Sequence, residues 1–167
     1  MKPEKKANEK KAGEPDVSNM KPEALTAHIV STHHKYLKKV LPEIYALFMT
    51  VLRVHGANHP ELYEVFRLFG TLKTELDQHL IREEMLLFPA IEDGEKAKAA
   101  GLSAGIRDEH ESFARLLGKI RKANHDYALP SDACESYTGL YKTIQEIEAD
   151  IHQHIHLEND ILLKGIA

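Results

Sequence analysis

The stretch HLIREEMLL at residues 79–87 decides the fold, together with its counterpart HIHLENDIL at residues 154–162. Each stretch begins with a histidine and has a glutamate as its fifth residue. Residues four apart on an α-helix project from the same face, one turn apart. Each stretch therefore directs an imidazole nitrogen and a carboxylate toward one point, among leucines and isoleucines spaced as on the buried face of a helix.

A second repeat precedes each of these stretches. HKYLKKVL at residues 34–41 parallels HESFARLL at residues 110–117, each with a histidine followed by an apolar residue three positions later. His34 lies 45 residues before the first stretch, and His110 lies 44 residues before the second. The chain is therefore predicted to contain two copies of one helical hairpin, each with one single histidine and one His-x-x-x-Glu pair.

Apolar residues at three-and-four spacing predict four helices. The periodic runs cover residues 24–47, 61–91, 103–124 and 140–162, and Gly- or Pro-containing breaks separate them at residues 56–60, 93–101 and 130–132. The alternation typical of strands is missing. Four long helices with short connections predict an all-α, antiparallel up-down-up-down four-helix bundle over residues 22–167. Pro42 is expected to kink or split the first helix, and Ser131 or Asp132 to cap the fourth.

Composition limits the function. The 167 residues fit one domain, and 43% apolar residues can form a core. A net charge of −4 without a basic stripe argues against nucleic-acid binding.

Residues 1–21 are predicted to be a flexible lysine-rich tail. No signal peptide or apolar run of membrane length is present, so a cytoplasmic location and no membrane partner are expected. The single cysteine, Cys134, excludes an internal disulfide and a cysteine-built metal site.

Hairpin geometry places the repeated residues at one height. Two residues of an antiparallel hairpin lie level when the turn is midway between them, and the midpoints 56.5, 96.5 and 132 fall in or beside the three breaks. The layer so defined contains His34, His79, Glu83, His110, His154 and Glu158. Burying these groups in an apolar bundle is costly without a cation. Nitrogen and carboxylate ligands suit iron, manganese or zinc, and carboxylates can bridge two ions, so a di-iron centre fits best.

Several short motifs together resemble one family. They are HHKY (33–36), LPE (41–43), RVHG (53–56), HPEL (59–62), HLIREEMLLFP (79–89), Glu109-His110 and HIHLEN (154–159). The chain resembles the hemerythrin-like HHE cation-binding proteins, and within them it is most similar to the Repair of Iron Centres di-iron proteins. The resemblance implies an oxo- and carboxylate-bridged pair of iron ions held by the same six residues, with Glu83 and Glu158 as the bridges. Manganese or zinc is the less favoured alternative.

The resemblance implies repair of iron–sulfur clusters damaged by nitric oxide or oxidants, through iron delivery or nitric oxide binding and reduction. The partners would be NO, O2 and damaged iron–sulfur proteins. Two other functions stay open: a hemerythrin-like carrier or sensor of O2 or NO, and a peroxide- or NO-consuming enzyme. A purely structural bundle is the remaining alternative. Many relatives carry an N-terminal domain with a cysteine pair that the tail lacks, which puts thiol-dependent steps in doubt. The oligomeric state is left open.

Other polar residues receive more modest predictions. Glu75 and Asp150, one turn before His79 and His154, could orient those imidazoles or be ordinary solvated acids. The remaining histidines and the thiol are expected to lie outside the ligand set. A channel-lining or supporting role is the less favoured alternative for His28, and His33 is expected to be partly exposed or a supporting group. The others are His55 at a helix end, His59 as a cap, His156 in a surface pair with Asp160, His125 and His152 without companions, and Cys134 as a structural thiol.

Overall fold

The structure is a computed structural model that describes residues 16–166. Residues 1–15 of the predicted tail lie outside the described residues. In the described part there are four long helices and no strand. The chain is an all-α four-helix bundle, in which the first long helix packs against the second and the fourth, and the second packs against the third. The predicted fold class is confirmed.

The four helices are composed as follows. Helix α1 (22–55) comprises Pro22–Ile29, the π-helical segment Val30–His34 and Lys35–His55. Helix α2 (61–92) comprises Glu61–Arg82, the π-helical segment Glu83–Leu87 and Phe88–Glu92. Helix α3 is Lys96–Ala123, and α4 (135–162) comprises Glu135–His156 and the π-helical segment Leu157–Leu162. Short 3₁₀ turns stand at Val17–Asn19 and Leu163–Gly165.

Three of the four helices carry a π-helical segment at the predicted layer. The segments contain His34, Glu83 and Glu158, whereas α3 presents His110 from an uninterrupted α-helix. A π-helical turn is wider than an α-helical turn, shifts the direction of nearby side chains and is frequently found at functional sites. These segments adjust which side chains α1, α2 and α4 direct inward.

Two apolar clusters fill the bundle. The larger one extends from Leu37 through Phe69 and Tyr137 to Ile151, toward the end that contains the 56–60 turn. The smaller one contains Leu25 and Phe88 and fills the opposite end. Val17 and Met20, in the last residues of the predicted tail, pack against this smaller cluster. The predicted polar layer lies on α1–α4 between the stretches that form the two clusters.

Pro42 does not split the first helix. Lys35–His55 is one continuous helix, and Pro42 lies on its exposed side. Proline removes one intrahelical hydrogen bond, but on a solvent-facing side water can satisfy the freed carbonyl. The interruption of α1 lies instead at the π-helical segment before Lys35.

The connection between the second and third helices is shorter than the predicted break at residues 93–101 and lies around Gly94. Gly94 has a φ of +71°, a conformation that favours glycine, and α3 begins two residues later at Lys96. Gly101 is exposed inside α3 and does not break it. A glycine inside a helix costs only about 1 kcal/mol relative to alanine, and the burial of Ala99 in the smaller apolar cluster favours the helix before it.

The cap of the fourth helix lies later in the chain than predicted. The N-cap residue is Cys134, so neither Ser131 nor Asp132 caps the helix. The Asp132 carboxylate instead lies 2.8 Å from Nε2 of His59, across the end of the bundle. The preceding loop begins with three successive residues of positive φ, His125 to Tyr127, which end the third helix.

Candidate metal centre

The structure brings all six residues of the predicted layer together in the interior. We call His34, His79, Glu83, His110, His154 and Glu158 the central layer; each is at most 2% exposed. Both His-x-x-x-Glu pairs converge as their spacing predicts. The His79 and Glu83 side chains approach to 3.3 Å and those of His154 and Glu158 to 2.9 Å.

The first group of ligand atoms is centred on α1 and α4. Nε2 of His34 and Nε2 of His154 are 3.2 Å apart. Oε2 of Glu83 lies 3.3 Å from the His34 nitrogen and 3.6 Å from the His154 nitrogen. Oε1 of Glu158 lies 2.9 Å from the same His154 nitrogen. Two imidazole nitrogens and two carboxylate oxygens thus surround one point.

The second group repeats this arrangement on α2 and α3. Nε2 of His79 and Nε2 of His110 are 3.3 Å apart. Oε1 of Glu83 lies 3.3 Å from the His79 nitrogen, and Oε2 of Glu158 lies 3.0 Å from the His110 nitrogen. Each glutamate therefore turns one oxygen toward each histidine pair, which is the arrangement of a bridging carboxylate.

The histidine pairs cross the sequence repeat. Each repeat is a hairpin, α1–α2 or α3–α4, yet the close nitrogen pairs join α1 to α4 and α2 to α3. Neither hairpin could assemble one of these groups alone. The two groups depend on the packing of the whole bundle.

Three of the four carboxylate oxygens of the central layer lack a hydrogen-bond donor. Both oxygens of Glu83 and Oε2 of Glu158 are buried and accept no hydrogen bond. Burial and the neighbouring Glu158 charge raise the pKa of the Glu83 carboxyl well above its usual range. Burial also opposes ionisation of Glu158, but His154 and His110 outweigh it and hold the pKa of Glu158 well below its usual range.

The imidazoles respond to the same crowding. Burial and the adjacent His154 lower the pKa of His34 to about 4. Burial likewise lowers the pKa of His79. His154 differs, because the Glu158 and Glu83 carboxylates outweigh its burial and raise its pKa to about 10. A neutral imidazole is the form that binds a metal. Unpartnered buried carboxylate oxygens beside imidazole nitrogens fit divalent metal ions, because a cation would satisfy both and would take the place of the protons that they otherwise share.

Two outer carboxylates hold the far nitrogens of two of these histidines. Glu84 Oε1 lies 2.7 Å from Nδ1 of His34 and is anchored by Lys38 Nζ at 2.6 Å. Glu109 Oε2 lies 2.7 Å from Nδ1 of His79, and Arg82 anchors its other oxygen. An acceptor at Nδ1 keeps the proton there, so that the Nε2 lone pair faces the interior.

Two further neighbours support the remaining histidines. Asn159 Oδ1 lies 3.0 Å from Nδ1 of His110. The ring of His33 stacks on His154 at a centroid distance of 5.6 Å, and Asp150 holds Nδ1 of His33 at 2.8 Å. The prediction of a supporting role for His33 fits this contact, and the ring is 5% exposed.

The acids chosen from the sequence to orient imidazoles do not contact them. Glu75 accepts a hydrogen bond from the Ser112 hydroxyl, at 3.0 Å, instead of meeting His79. Asp150 meets His33 rather than His154. A residue one turn away along the same helix is directed toward the same face as the histidine, whereas Nδ1 of His34, His79 and His110 meets a residue of a different helix.

Sequence reasoning missed Glu84, Glu109 and Asn159, although a signal was present. Each is the immediate neighbour of a central-layer residue, in the doublets Glu83-Glu84, Glu109-His110 and Glu158-Asn159. Neighbours on a helix project about 100° apart. When one residue of a doublet faces the interior, the other faces the adjacent helix, where it can reach that helix's histidine.

The other histidines stay outside the central layer. His28 is half-buried and meets His33 edge-on at 6.5 Å. The predicted exposed pair of His156 and Asp160 is confirmed, with Nδ1 2.6 Å from Oδ2. His55 ends its helix as predicted but is buried, and His59, predicted as a cap, instead pairs with Asp132.

Two shallow surface pockets lead toward the outer carboxylates. One, of about 420 Å³, is lined by Glu84 together with Thr26 and Glu92 of α1 and α2. The other, of about 340 Å³, is lined by Glu109, Arg82 and Glu75. Each pocket reaches the carboxylate that holds one histidine of the central layer. Among the described residues, no helix is long and apolar enough to cross a membrane.

Comparisons with known proteins agree with this geometry. Residues 25–166 match the hemerythrin HHE cation binding domain. The iron-sulfur cluster repair protein DnrN of Neisseria gonorrhoeae is 33% identical over 143 residues, covering 86% of this chain and 90% of the relative. The iron-sulfur cluster repair protein YtfE of Edwardsiella ictaluri is 33% identical and that of Yersinia pestis 31% identical, each over 138 residues. The chain spans 62% of the length of each of these two YtfE relatives, and the aligned region covers 83% of this chain.

The match covers all four helices and every residue of the central layer. The buried His and Glu side chains are the chemistry that a cation-binding bundle requires. This chain belongs to the hemerythrin HHE cation-binding domain family.

Proposed function

We propose that the central layer binds two iron ions and that the protein repairs iron–sulfur clusters damaged by nitric oxide or oxidants. His34 and His154 would hold one iron, His79 and His110 the other, and Glu83 and Glu158 would bridge them. The observation that carries the proposal is the division of each carboxylate between the two histidine pairs. The repair role is supported by the relatives, which are named iron-sulfur cluster repair proteins.

Iron supplies redox chemistry and affinity for nitric oxide and dioxygen. The residues of this chain determine how firmly it is held. Glu84 and Glu109 keep the Nδ1 protons of His34 and His79 in place, which leaves Nε2 free as the ligand atom. The apolar clusters on both sides exclude water and strengthen the interaction of the carboxylates with a cation.

Release of iron to a damaged cluster requires a route out of the bundle. Glu84 is held by Lys38, whose side chain is half exposed, and both lie near the surface pocket beside α1. An exposed ion pair contributes little energy and exchanges readily. The Glu109–Arg82 pair beside the second pocket is exposed to a similar degree. We infer that iron leaves past one of these two outer carboxylates. Iron would pass to damaged iron–sulfur proteins, and the protein would act in the cytoplasm.

The repair role is tested by adding the iron-loaded protein to an enzyme whose iron–sulfur cluster has been damaged by nitric oxide or peroxide. Recovery should exceed that produced by the same amount of free ferrous iron. The double variant Glu83→Ala/Glu158→Ala should give no excess recovery. His156→Ala removes one member of an exposed His–Asp pair and serves as the matched control, with recovery unchanged. Recovery equal to that of free iron would overturn the repair role.

Reversible binding of O2 or NO is the second candidate. Each group offers four protein ligand atoms, fewer than the six of an octahedral iron, so positions remain for a small ligand. Stopped-flow spectra with each gas distinguish the functions. A stable adduct that reverses on gas removal favours a carrier or sensor, whereas repeated consumption of NO or peroxide with a reductant indicates an enzyme.

A further inference from the structure

A second group of metal-binding side chains lies at the opposite end of the larger apolar cluster. His55 ends α1, His59 follows in the α1–α2 turn, and Asp132 and Cys134 stand in the loop before α4. We call these four residues the turn cluster. His55 is 21 residues from His34 along α1, which corresponds to roughly 31 Å. The turn cluster is therefore separate from the central layer.

The side chains of the turn cluster converge. Single ligand atoms of His55, His59 and Asp132 all lie within 4.8 Å of one another. Nε2 of His59 is 2.8 Å and 3.0 Å from the two Asp132 oxygens. Nε2 of His55 is 3.1 Å from Sγ of Cys134. Two imidazoles and one carboxylate thus meet across two separate connections of the chain, and the thiol lies against one of the two imidazoles.

The local backbone builds this arrangement. The His59 amide donates to the His55 carbonyl at 2.8 Å, which folds the turn back over the helix end. At Gly56 a Cβ atom would lie 2.5 Å from the Leu52 carbonyl oxygen, so no other residue fits there without a shift. The buried Tyr137 ring contacts His55 and His59 at centroid distances of 5.1 and 5.8 Å and fixes their positions.

The donor set has a clear preference. Zn²⁺ in proteins is bound by four ligands drawn from cysteine, histidine and aspartate, at bond lengths of about 2.0–2.3 Å. We propose that His55, His59, Asp132 and Cys134 bind one Zn²⁺ ion, or a divalent ion of similar preference such as Co²⁺. The ion would join the α1–α2 turn to the α3–α4 loop and hold that end of the bundle closed. The alternative is that the hydrogen bonds alone join the two connections.

Cobalt gives a readout specific to this cluster. Cys134 is the single cysteine of the chain, and the central layer contains no sulfur ligand. Thiolate-to-cobalt charge-transfer absorption can therefore report only the turn cluster. Iron-loaded full-length protein is titrated with Co²⁺, and the band should develop to one Co²⁺ per chain. Addition of Zn²⁺ should bleach it, protect the thiol from alkylation and raise the Tm.

Variants distinguish this site from chance binding at a surface thiol. Cys134→Ser should abolish the band. His55→Gln or His59→Gln should weaken binding by more than the about 10–100-fold that follows loss of an outer partner of a metal ligand. His152→Gln, an exposed histidine elsewhere on α4, is the matched control and should change nothing.

Two results would overturn the proposal. One is the absence of a thiolate band at saturating Co²⁺ in protein whose thiol is shown to be reduced. The other is a band that survives His59→Gln combined with Asp132→Asn, since that would indicate binding by the thiol without the cluster. Because the band depends on Cys134 alone for its sulfur, either failure leaves the central layer and its proposed function untouched.

Discussion

Two glutamates on α4, ten residues apart in sequence, are both buried but have opposite surroundings. Glu148 accepts hydrogen bonds from the Tyr127 hydroxyl at 2.6 Å and from the Arg121 guanidinium at 3.0 and 3.2 Å. Glu158 has a buried oxygen that accepts none, and it faces Glu83, both of whose oxygens are also without donors. The first carboxylate is neutralised by the protein itself, whereas the surroundings of the second fit a metal cation.

The difference separates a structural buried charge from a functional one. Around Glu148, donors and charge balance, so the cluster joins the 124–134 loop to α4 without any further group. Around Glu158, the protein supplies only metal-binding atoms, and two carboxylates lie together. Such an arrangement is stable when a positive ion replaces the missing donors.

Removing both bridging carboxylates should have the largest effect. Glu83→Ala/Glu158→Ala should abolish binding of both metal ions, because each glutamate contributes to both groups. Metal analysis of the purified variant measures the loss. A variant that keeps the wild-type metal content would show that these carboxylates are not ligands.

Metal removal should destabilise the bundle strongly. An ion present at 1,000 times its Kd stabilises the folded state by about 4 kcal/mol, and stripping it also leaves the unpartnered carboxylates of the central layer in the interior. Denaturant unfolding with and without a chelator measures the difference. The Glu83→Ala/Glu158→Ala variant is the control, and its stability should not respond to the chelator.

The Glu148 cluster should affect stability without affecting metal. Glu148→Ala leaves the buried Tyr127 hydroxyl without its acceptor and should lower the free energy of unfolding by about 2–3 kcal/mol. Tyr127→Phe should cost about 1 kcal/mol, because it removes one hydrogen bond and its donor together. Both variants should bind metal as the wild type does. A loss of metal in either would contradict the distinction between Glu148 as a structural carboxylate and Glu158 as a metal-binding one.

The outer carboxylates should have an intermediate effect on metal affinity. Glu84→Gln and Glu109→Gln each remove a charge that holds an Nδ1 proton and should weaken metal binding by about 10–100-fold. Competition with a chromophoric chelator measures it. Glu75→Gln is the matched control, since that acid meets Ser112 rather than an imidazole, and its affinity should stay unchanged.

The smallest effect should come from His59. The hydrogen bond from its imidazole to Asp132 raises the pKa of His59 above its ordinary value of 6.5. A raised pKa in the folded state stabilises the protein fully below pH 6.5, and this contribution is lost as the pH rises through the folded-state value. Without added zinc, stability should therefore fall slightly from pH 6 to 8. Asp132→Asn should remove that slope; an identical slope in the variant would rule the pair out.

The bundle and its central layer are predictable because both follow from repeated spacing. A helix has a constant rise, so glycine and proline positions locate the turns and the midpoints align His34, His79, His110 and His154. The π-helical segments are not predictable in this way. They alter the backbone by one residue and have no side-chain signature of their own.

The outer partners of the histidines are not predictable from spacing, for a different reason. Periodicity describes one helix at a time, whereas Glu84, Glu109 and Asn159 each contact a histidine on another helix. The turn cluster is even harder to predict from the sequence, because its residues come from two connections that are brought together only by tertiary packing. The sequence contains a His-x-x-x-His motif at residues 55–59, but no spacing rule connects this motif with residues 132–134.

Anomalous X-ray diffraction at the iron absorption edge tests the central claim most directly, because it locates each ion without reference to activity. Crystals of the iron-loaded protein should show two iron peaks in the central layer, one between His34 and His154 and the other between His79 and His110, with Glu83 and Glu158 between them. A single peak, or none at these positions in protein shown to contain iron, would contradict the account.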